Sequence, residues 1–248
     1  MYSRQIIKVT LALFSACVIA MTLKSSAQAH VPFMANDEHP TMQSALMIEN
    51  ITTSKVIYQI ITNSTFESWI QFEGRAGDIL YVQLGIPYID ELENYRPSVA
   101  ILPPSRFPKL VDVDHDGIQG ESLHVLNSTG IIHPEIFHER FTNTNSWILV
   151  EQTVNLAETG TYFIVSFSPN NEPGKLWLAV GREERFGPSD IAKLPSLIVE
   201  VRKFHESDPI GNPLNYLLLT SIGIISAVGA GTIWLVLSSR KKQIGKVP

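Results

Sequence analysis

The sequence predicts an all-β ectodomain, an antiparallel β-sandwich, followed by one C-terminal transmembrane helix. Three observations carry that expectation. The central part alternates apolar and polar residues at period two, its segments are separated by Gly/Pro/Asn turns at short spacing, and a long uncharged run stands near the end of the chain.

The first element is the N-terminus. Arg4 and Lys8 precede an apolar run from Val9 to Leu23, which is followed by Lys24, Ser25 and Ser26 and closes on Ala27-Gln28-Ala29. A basic start, a short apolar centre and a small-x-small exit are the parts of a secretory signal peptide, so residues 1–29 are expected to be removed. The run is shorter than the roughly 20 residues that span a bilayer.

The strands of residues 30–190 come next. Lys55 to Ile61 is β-branched and aromatic, and Trp69 to Glu73 leads into the turn Gly74-Arg75-Ala76-Gly77-Asp78. Ile79 to Ile86 alternates Leu80, Val82 and Leu84 with Ile79, Tyr81 and Gln83, and Pro87 ends it. Ser98 to Leu102 is a short strand before Pro103-Pro104. Trp147 to Leu156 is extended, and Glu158-Thr159-Gly160 turns the chain into Thr161 to Phe167. After the turn Pro169 to Gly174, Leu176, Leu178 and Val180 alternate again. Helical periodicity is confined to Pro195 to Glu206, within a juxtamembrane stalk expected over residues 191–213.

The last element is Leu214 to Leu237, which contains no charged residue and is long enough to cross about 30 Å of hydrocarbon as a helix. Arg240, Lys241, Lys242 and Lys246 in the tail 238–248 favour the cytoplasmic side, which puts residues 30–213 outside. Tyr216 and Trp234 stand near the two ends of the span, where amphipathic rings prefer the interface. Gly223, Ala227 and Gly231 form a small-residue stripe suited to helix pairing, with a second copy or within a membrane complex. Signal and tail demand the same orientation: a single-pass membrane protein with its bulk outside the cell.

Between the apolar ends lie roughly 180 residues, enough for one domain with its own core. The single cysteine, Cys17, falls in the signal, so no disulfide is expected in the mature chain. A net charge of −5 leaves no basic footprint for nucleic acid. Three sequons, Asn50-Ile51-Thr52, Asn63-Ser64-Thr65 and Asn127-Ser128-Thr129, mark exposed loops if the protein is glycosylated.

The strings Trp69 to Phe72, Gly77 to Val82 and Gly160 to Val165 resemble the strand signatures of secreted β-sandwich modules of the pre-peptidase C-terminal type. The chain over residues 30–205 also resembles a family of exported, membrane-anchored prokaryotic β-sandwich proteins whose mature part opens Ala-His-Val-Pro, here Ala29 to Pro32. The resemblance implies a non-enzymatic surface module and brings no established activity with it.

Two metal sites are candidates. Asp112-Val113-Asp114-His115-Asp116-Gly117 puts hard oxygen donors on alternate residues of a tight loop. Asp112, Asp114 and Asp116, with Glu121 in place of a twelfth-position glutamate, are expected to hold structural Ca²⁺. If cleavage follows Ala29, His30 offers an α-amine and an imidazole to one copper ion, with His39, His115, His124, His133, His138 or His205 as second ligand. His133 to His138 is broken by Pro134, so it is no helical zinc pair, and no Gly-x-Ser-x-Gly occurs. Glu135, Glu139, Glu183 and Glu184 are read as scattered loop carboxylates, and Phe137 to Phe141 and Glu183 to Phe186 as strand ends with paired surface charges. No catalytic residue is assigned. The expected function is a non-catalytic binding or assembly module, steadied by Ca²⁺. The alternative is a copper-handling protein or accessory subunit of a membrane enzyme complex that uses His30.

Overall fold

The computed structural model describes residues 30–105, 124–185 and 187–209. The signal segment, the loop holding Asp112, Asp114, Asp116 and Glu121, and the apolar span with Gly223, Ala227 and Gly231 lie outside the described residues. Among those described, no helix is long and apolar enough to cross a membrane.

Two sheets face one another. The six-stranded sheet runs β1 (Val31–Asn36), β3 (Lys55–Ile61), β11 (Gly174–Val180), β5 (Ile79–Pro87), β9 (Thr144–Asn155), β8 (Glu135–Glu139). The five-stranded sheet runs β2 (Leu46–Ile48), β4 (Glu67–Gly74), β10 (Gly160–Phe167), β6 (Ser98–Leu102), β7 (His124–Leu126). All neighbours pair antiparallel except β1 with β3 and β2 with β4. The period-two strands put one apolar row from each sheet into a shared core. Ile57, Ile61, Leu84, Leu176 and Leu178 meet Ile70, Phe72, Ile101, Tyr162 and Ile164 there.

The strands read from sequence are present, each end within three residues of the expected one. Four others, β1, β2, β7 and β8, are short or carry polar residues and lack the alternation that would announce them. Glu135 and Glu139 accordingly stand on a strand, β8, and not on a loop.

The one α-helix of the described residues, α1 (Pro188–Phe204), begins earlier than the sequence suggests and runs through Pro195. Its start is set by Pro188 in the first turn and by Asp190, whose carboxylate accepts from the Gly187 amide at 2.9 Å. Its end is a Schellman closure, with Glu206 at φ 54°, Glu206 N–H donating to Lys203 and Ser207 N–H to Arg202. Val201 and Phe204 pack on Val56, Tyr58, Trp177 and Ala179, the outer face of the six-stranded sheet. The segment expected as a stalk therefore contributes a third layer to the fold, and residues Gln28–Pro209 form one compact unit.

Candidate functional site

Three structural features converge on the outer face of the six-stranded sheet. The first is the C-terminal end of α1, held by cations: Lys175 Nζ donates to the Phe204 carbonyl at 3.1 Å and to Glu206 at 2.6 Å. Cations at that end complement the helix dipole. The second is Arg202, which is buried and donates to the carbonyls of Thr142 (2.6 Å), Asn143 (3.1 Å) and Asp208 (2.5 Å). Thr142 and Asn143 form the turn between β8 and β9, so the helix end grips the tip of that hairpin. The third is a register shift at Leu84/Gly85 in the β5–β9 pair. Such bulges bend a strand and re-aim its side chains.

The result is a small open cleft bordered by His30, Tyr58, Phe137, Glu139, Ser146, Trp177 and His205. It has room for about one or two water molecules. Its floor is a directed hydrogen-bond chain. Trp177 Nε1–H donates to Ser146 Oγ at 3.0 Å, and Ser146 Oγ is 3.1 Å from His205 Nε2. His205 Nδ1 lies 2.8 Å from the Val201 carbonyl, which can only accept. The proton must then sit on Nδ1, which leaves Nε2 to accept from the serine hydroxyl. In the neutral ring the chain runs in one direction, from Trp177 through Ser146 to His205 and on to Val201. Burial pushes its pKa down to about 4; the Val201 bond opposes this, and the cations Lys175 and Arg202 reinforce it.

Gly85 makes the chain possible. It stands opposite Trp177 in register, and a Cβ there would come within 2.1 Å of the indole. The absent side chain lets the indole of β11 cross β5 and reach Ser146 on β9.

Ser146 and His205 superficially resemble a nucleophile and its base. A base with a pKa near 4 gains nothing as a proton acceptor at neutral pH, the orienting partner is a carbonyl, and the serine oxygen already takes the indole N–H. The geometry is that of a fastening between helix, hairpin and sheet.

The rim of the cleft is less committed. His30 Nδ1 is bonded to Ser54 Oγ, and burial lowers its pKa, with Glu184 acting the other way, so the imidazole is neutral at physiological pH. Glu139 Oε1 accepts from Phe141 N–H at 2.9 Å; burial raises its pKa, while that bond and His138 oppose the rise. Burial also raises the Tyr58 phenol, and Glu139 adds to this.

Of the described histidines considered as partners for His30, only His205 borders the same cleft, and both its ring nitrogens are bonded; His115 lies outside the described residues. His39 is tied to the Ser44 carbonyl at 2.6 Å and His138 to Asn145 at 2.7 Å. Among the described residues no group of three or more His, Cys, Asp or Glu is placed to hold a metal. Arg185 and Glu183 form the expected surface pair at 2.7 Å.

Beside the cleft lies the open edge of the six-stranded sheet. β8 is hydrogen-bonded only to β9 among the described residues, and its side chains are exposed on both faces. Ile132, Ile136 and Phe137 are 78%, 57% and 40% exposed. In register with Ser146 and Thr144, Phe137 and Glu139 face the cleft, and Glu135 shares their face. Sequence reasoning missed this feature; the signal available was Ile-Phe flanked by glutamates after His133-Pro134.

No protein-family model matches the chain, and no curated protein matches it. Among solved structures, it is similar to the pre-peptidase C-terminal domain of a collagenase from Bacillus anthracis, at 9% identity and a TM-score of 0.30, over 54% of this chain and 91% of that one. It is similar to PliG, a periplasmic inhibitor of g-type lysozyme from Aeromonas hydrophila, at 12% identity and a TM-score of 0.33, over 60% and 97%. A third likeness is to CorA, a surface-associated copper-binding protein of Methylomicrobium album BG8, at 8% identity and a TM-score of 0.29, over 61% and 100%. These likenesses are too distant to carry an argument about function.

Proposed function

We propose that this protein is a non-catalytic, membrane-anchored binding module of the cell exterior, and that it takes an extended, basic polypeptide segment onto β8. The observation that supports the reading is the edge itself: among the described residues β8 pairs with β9 alone. An unpaired row of backbone groups is a template for another strand, and a neighbouring pocket supplies side-chain selectivity. Here the edge carries Ile136 and Phe137, with Glu135 and Glu139 spaced on the face that borders the cleft. A cation from the incoming chain beside Glu139 would offset the desolvation that raises that carboxyl. A second copy is a poor occupant: antiparallel pairing of two β8 strands about Phe137 would set Glu135 opposite Glu139, like against like.

The test is a titration of the full chain with a synthetic peptide carrying lysines four residues apart between β-branched residues. The expected result is saturable, salt-sensitive binding, lost in Glu135→Lys/Glu139→Lys and lost when the peptide backbone is N-methylated. Binding unaffected by both changes, or equal binding of a glutamate-bearing peptide, would overturn the reading.

Structural Ca²⁺ at Asp112, Asp114, Asp116 and Glu121 remains part of the proposal on sequence grounds. Copper handling through His30 is the second reading, favoured by its neutral imidazole at the cleft rim. It requires Nδ1 to exchange Ser54 for the metal.

A further inference from the structure

We propose that Asn50 and Asn127 are acceptors of N-linked glycans and that Asn63 is not. The inference rests on the placement of the body outside the cell, proposed above.

The two favoured sequons are built alike. In the first, Asn50 Oδ1 accepts from Thr52 N–H at 2.8 Å and from the Thr52 hydroxyl at 2.9 Å. In the second, Asn127 Oδ1 accepts from Thr129 N–H at 2.8 Å and from the Thr129 hydroxyl at 2.7 Å. In each, asparagine and threonine are exposed and the residue between them is buried: Ile51 in the core, Ser128 through a 2.6 Å bond to the Pro97 carbonyl. The buried middle residue pins the turn, so asparagine and threonine are exposed together, with the amide oxygen engaged by the threonine and Nδ2 making no hydrogen bond among the described residues. The backbone at Thr52 is held further by Arg182 and Glu183 N–H groups at 3.0 and 2.8 Å.

The third sequon lacks this design. Ser64 is exposed, and Thr65 turns away from Asn63: its N–H and hydroxyl are bonded to the Thr62 hydroxyl at 3.0 and 2.5 Å. An enzyme that must engage amide and hydroxyl on one side finds that arrangement at Asn50 and Asn127 only.

The placement also has a use. β2 and β7 are the two edge strands of the five-stranded sheet, and Asn50 and Asn127 follow their C-terminal ends. A glycan at each would shield both edges from strand addition and leave β8 in the other sheet open.

In the reaction, Asn Nδ2 gives up one proton to the transferase and bonds to C1 of a sugar carried on a polyprenyl pyrophosphate. The C1–O bond breaks and the pyrophosphate leaves with its electron pair. No oxidant or reductant is needed.

The experiment is site-resolved mass spectrometry of the full chain purified from membranes of its source organism, read together with its N-terminal peptide. Glycopeptides are expected at Asn50 and Asn127, with the Asn63 peptide bare. Thr52→Ala and Thr129→Ala should each abolish one glycan, and Thr65→Ala should change nothing. Bare Asn50 and Asn127, or glycan at Asn63 with equal occupancy, overturn the proposal. If those asparagines are bare on a chain that begins at His30, the site argument alone has failed. If they are bare on a chain that still begins at Met1, the proposed export has failed and this inference with it.

Discussion

Acidification should unfasten the helix from the sheet, through His205. The side chain is 6% exposed and sits against Tyr58 (ring centroids 5.9 Å apart) and Ser146, with Lys175 and Arg202 as its nearest cations. Its ordinary pKa of 6.5 falls to about 4 in the folded state. A depressed histidine means that the unfolded chain binds more protons than the native one between these values. Stability is then fully present above the ordinary pKa and is lost as pH falls toward the folded pKa. A gap of about 2.5 units at 1.36 kcal/mol per unit sets a ceiling of about 3 kcal/mol, of which about 2 is lost by pH 5. In a body of this size that is a drop of roughly 4–8 °C in melting temperature.

Two other groups titrate in the same cleft, and they act in opposite senses. His30, also depressed by burial, adds to the acid loss. Glu139 is raised by burial, so its cost at neutral pH is relieved as it protonates, which offsets part of the loss. A variant isolates His205 from both. His205→Gln can still accept from Ser146 but cannot take up a proton, so it should be less stable at pH 7.5 yet lose about 2 kcal/mol less between pH 7.5 and 5. Urea unfolding of the full chain, followed by the fluorescence of Trp177 and its fellow indoles, measures both slopes. Identical pH slopes in wild type and variant would refute the lowered pKa of His205 and the neutral fastening built on it.

Gly85→Ala drives a methyl into the Trp177 indole, so it should cost about 2–3 kcal/mol and flatten the acid loss as well, because the displaced indole no longer supports Ser146. Urea denaturation at both pH values checks this. Asp114→Ala should lower the melting temperature in the presence of Ca²⁺ and leave it unchanged in chelator, as scanning calorimetry would show. Elemental analysis of the exported chain bearing its natural N-terminus should find Ca²⁺; stoichiometric copper, lost on extending that terminus by one residue, would favour the second reading instead.

The parts of the fold that were legible in sequence are those whose burial is dictated locally. Ile79 to Ile86 alternates because one face meets the opposite sheet, and the turn signal from Pro169 to Gly174 fixes where β11 begins. β1 and β8 escape the same reading because their neighbours supply what they lack. β1 joins an edge by pairing parallel to β3, and β8 owes its strand geometry to the long, well-formed β9 beside it rather than to Glu135-Ile136-Phe137-His138-Glu139 itself. Pro195 invites a helix start because proline is favoured in a first turn, but apolar packing of Val201 and Phe204 stabilises a longer helix that tolerates it.

The cleft could not have been found that way. Its floor needs Gly85, Ser146, Trp177 and His205, drawn from three strands and the helix end, and each has an ordinary local explanation: a strand glycine, a polar strand residue, a core aromatic, a basic helix end. Only the register that sets Gly85 opposite Trp177 and brings the C-terminal end of α1 over β9 makes them one unit. The same reasoning separates the two histidines that the sequence treats alike. His205 spends both nitrogens inside the fold, so replacing it should be felt as stability. His30 spends one nitrogen on Ser54 at the rim, so replacing it should be felt in binding at the cleft rather than in stability. Measuring both properties in both variants therefore tests whether the floor and the rim of the cleft are two devices or one.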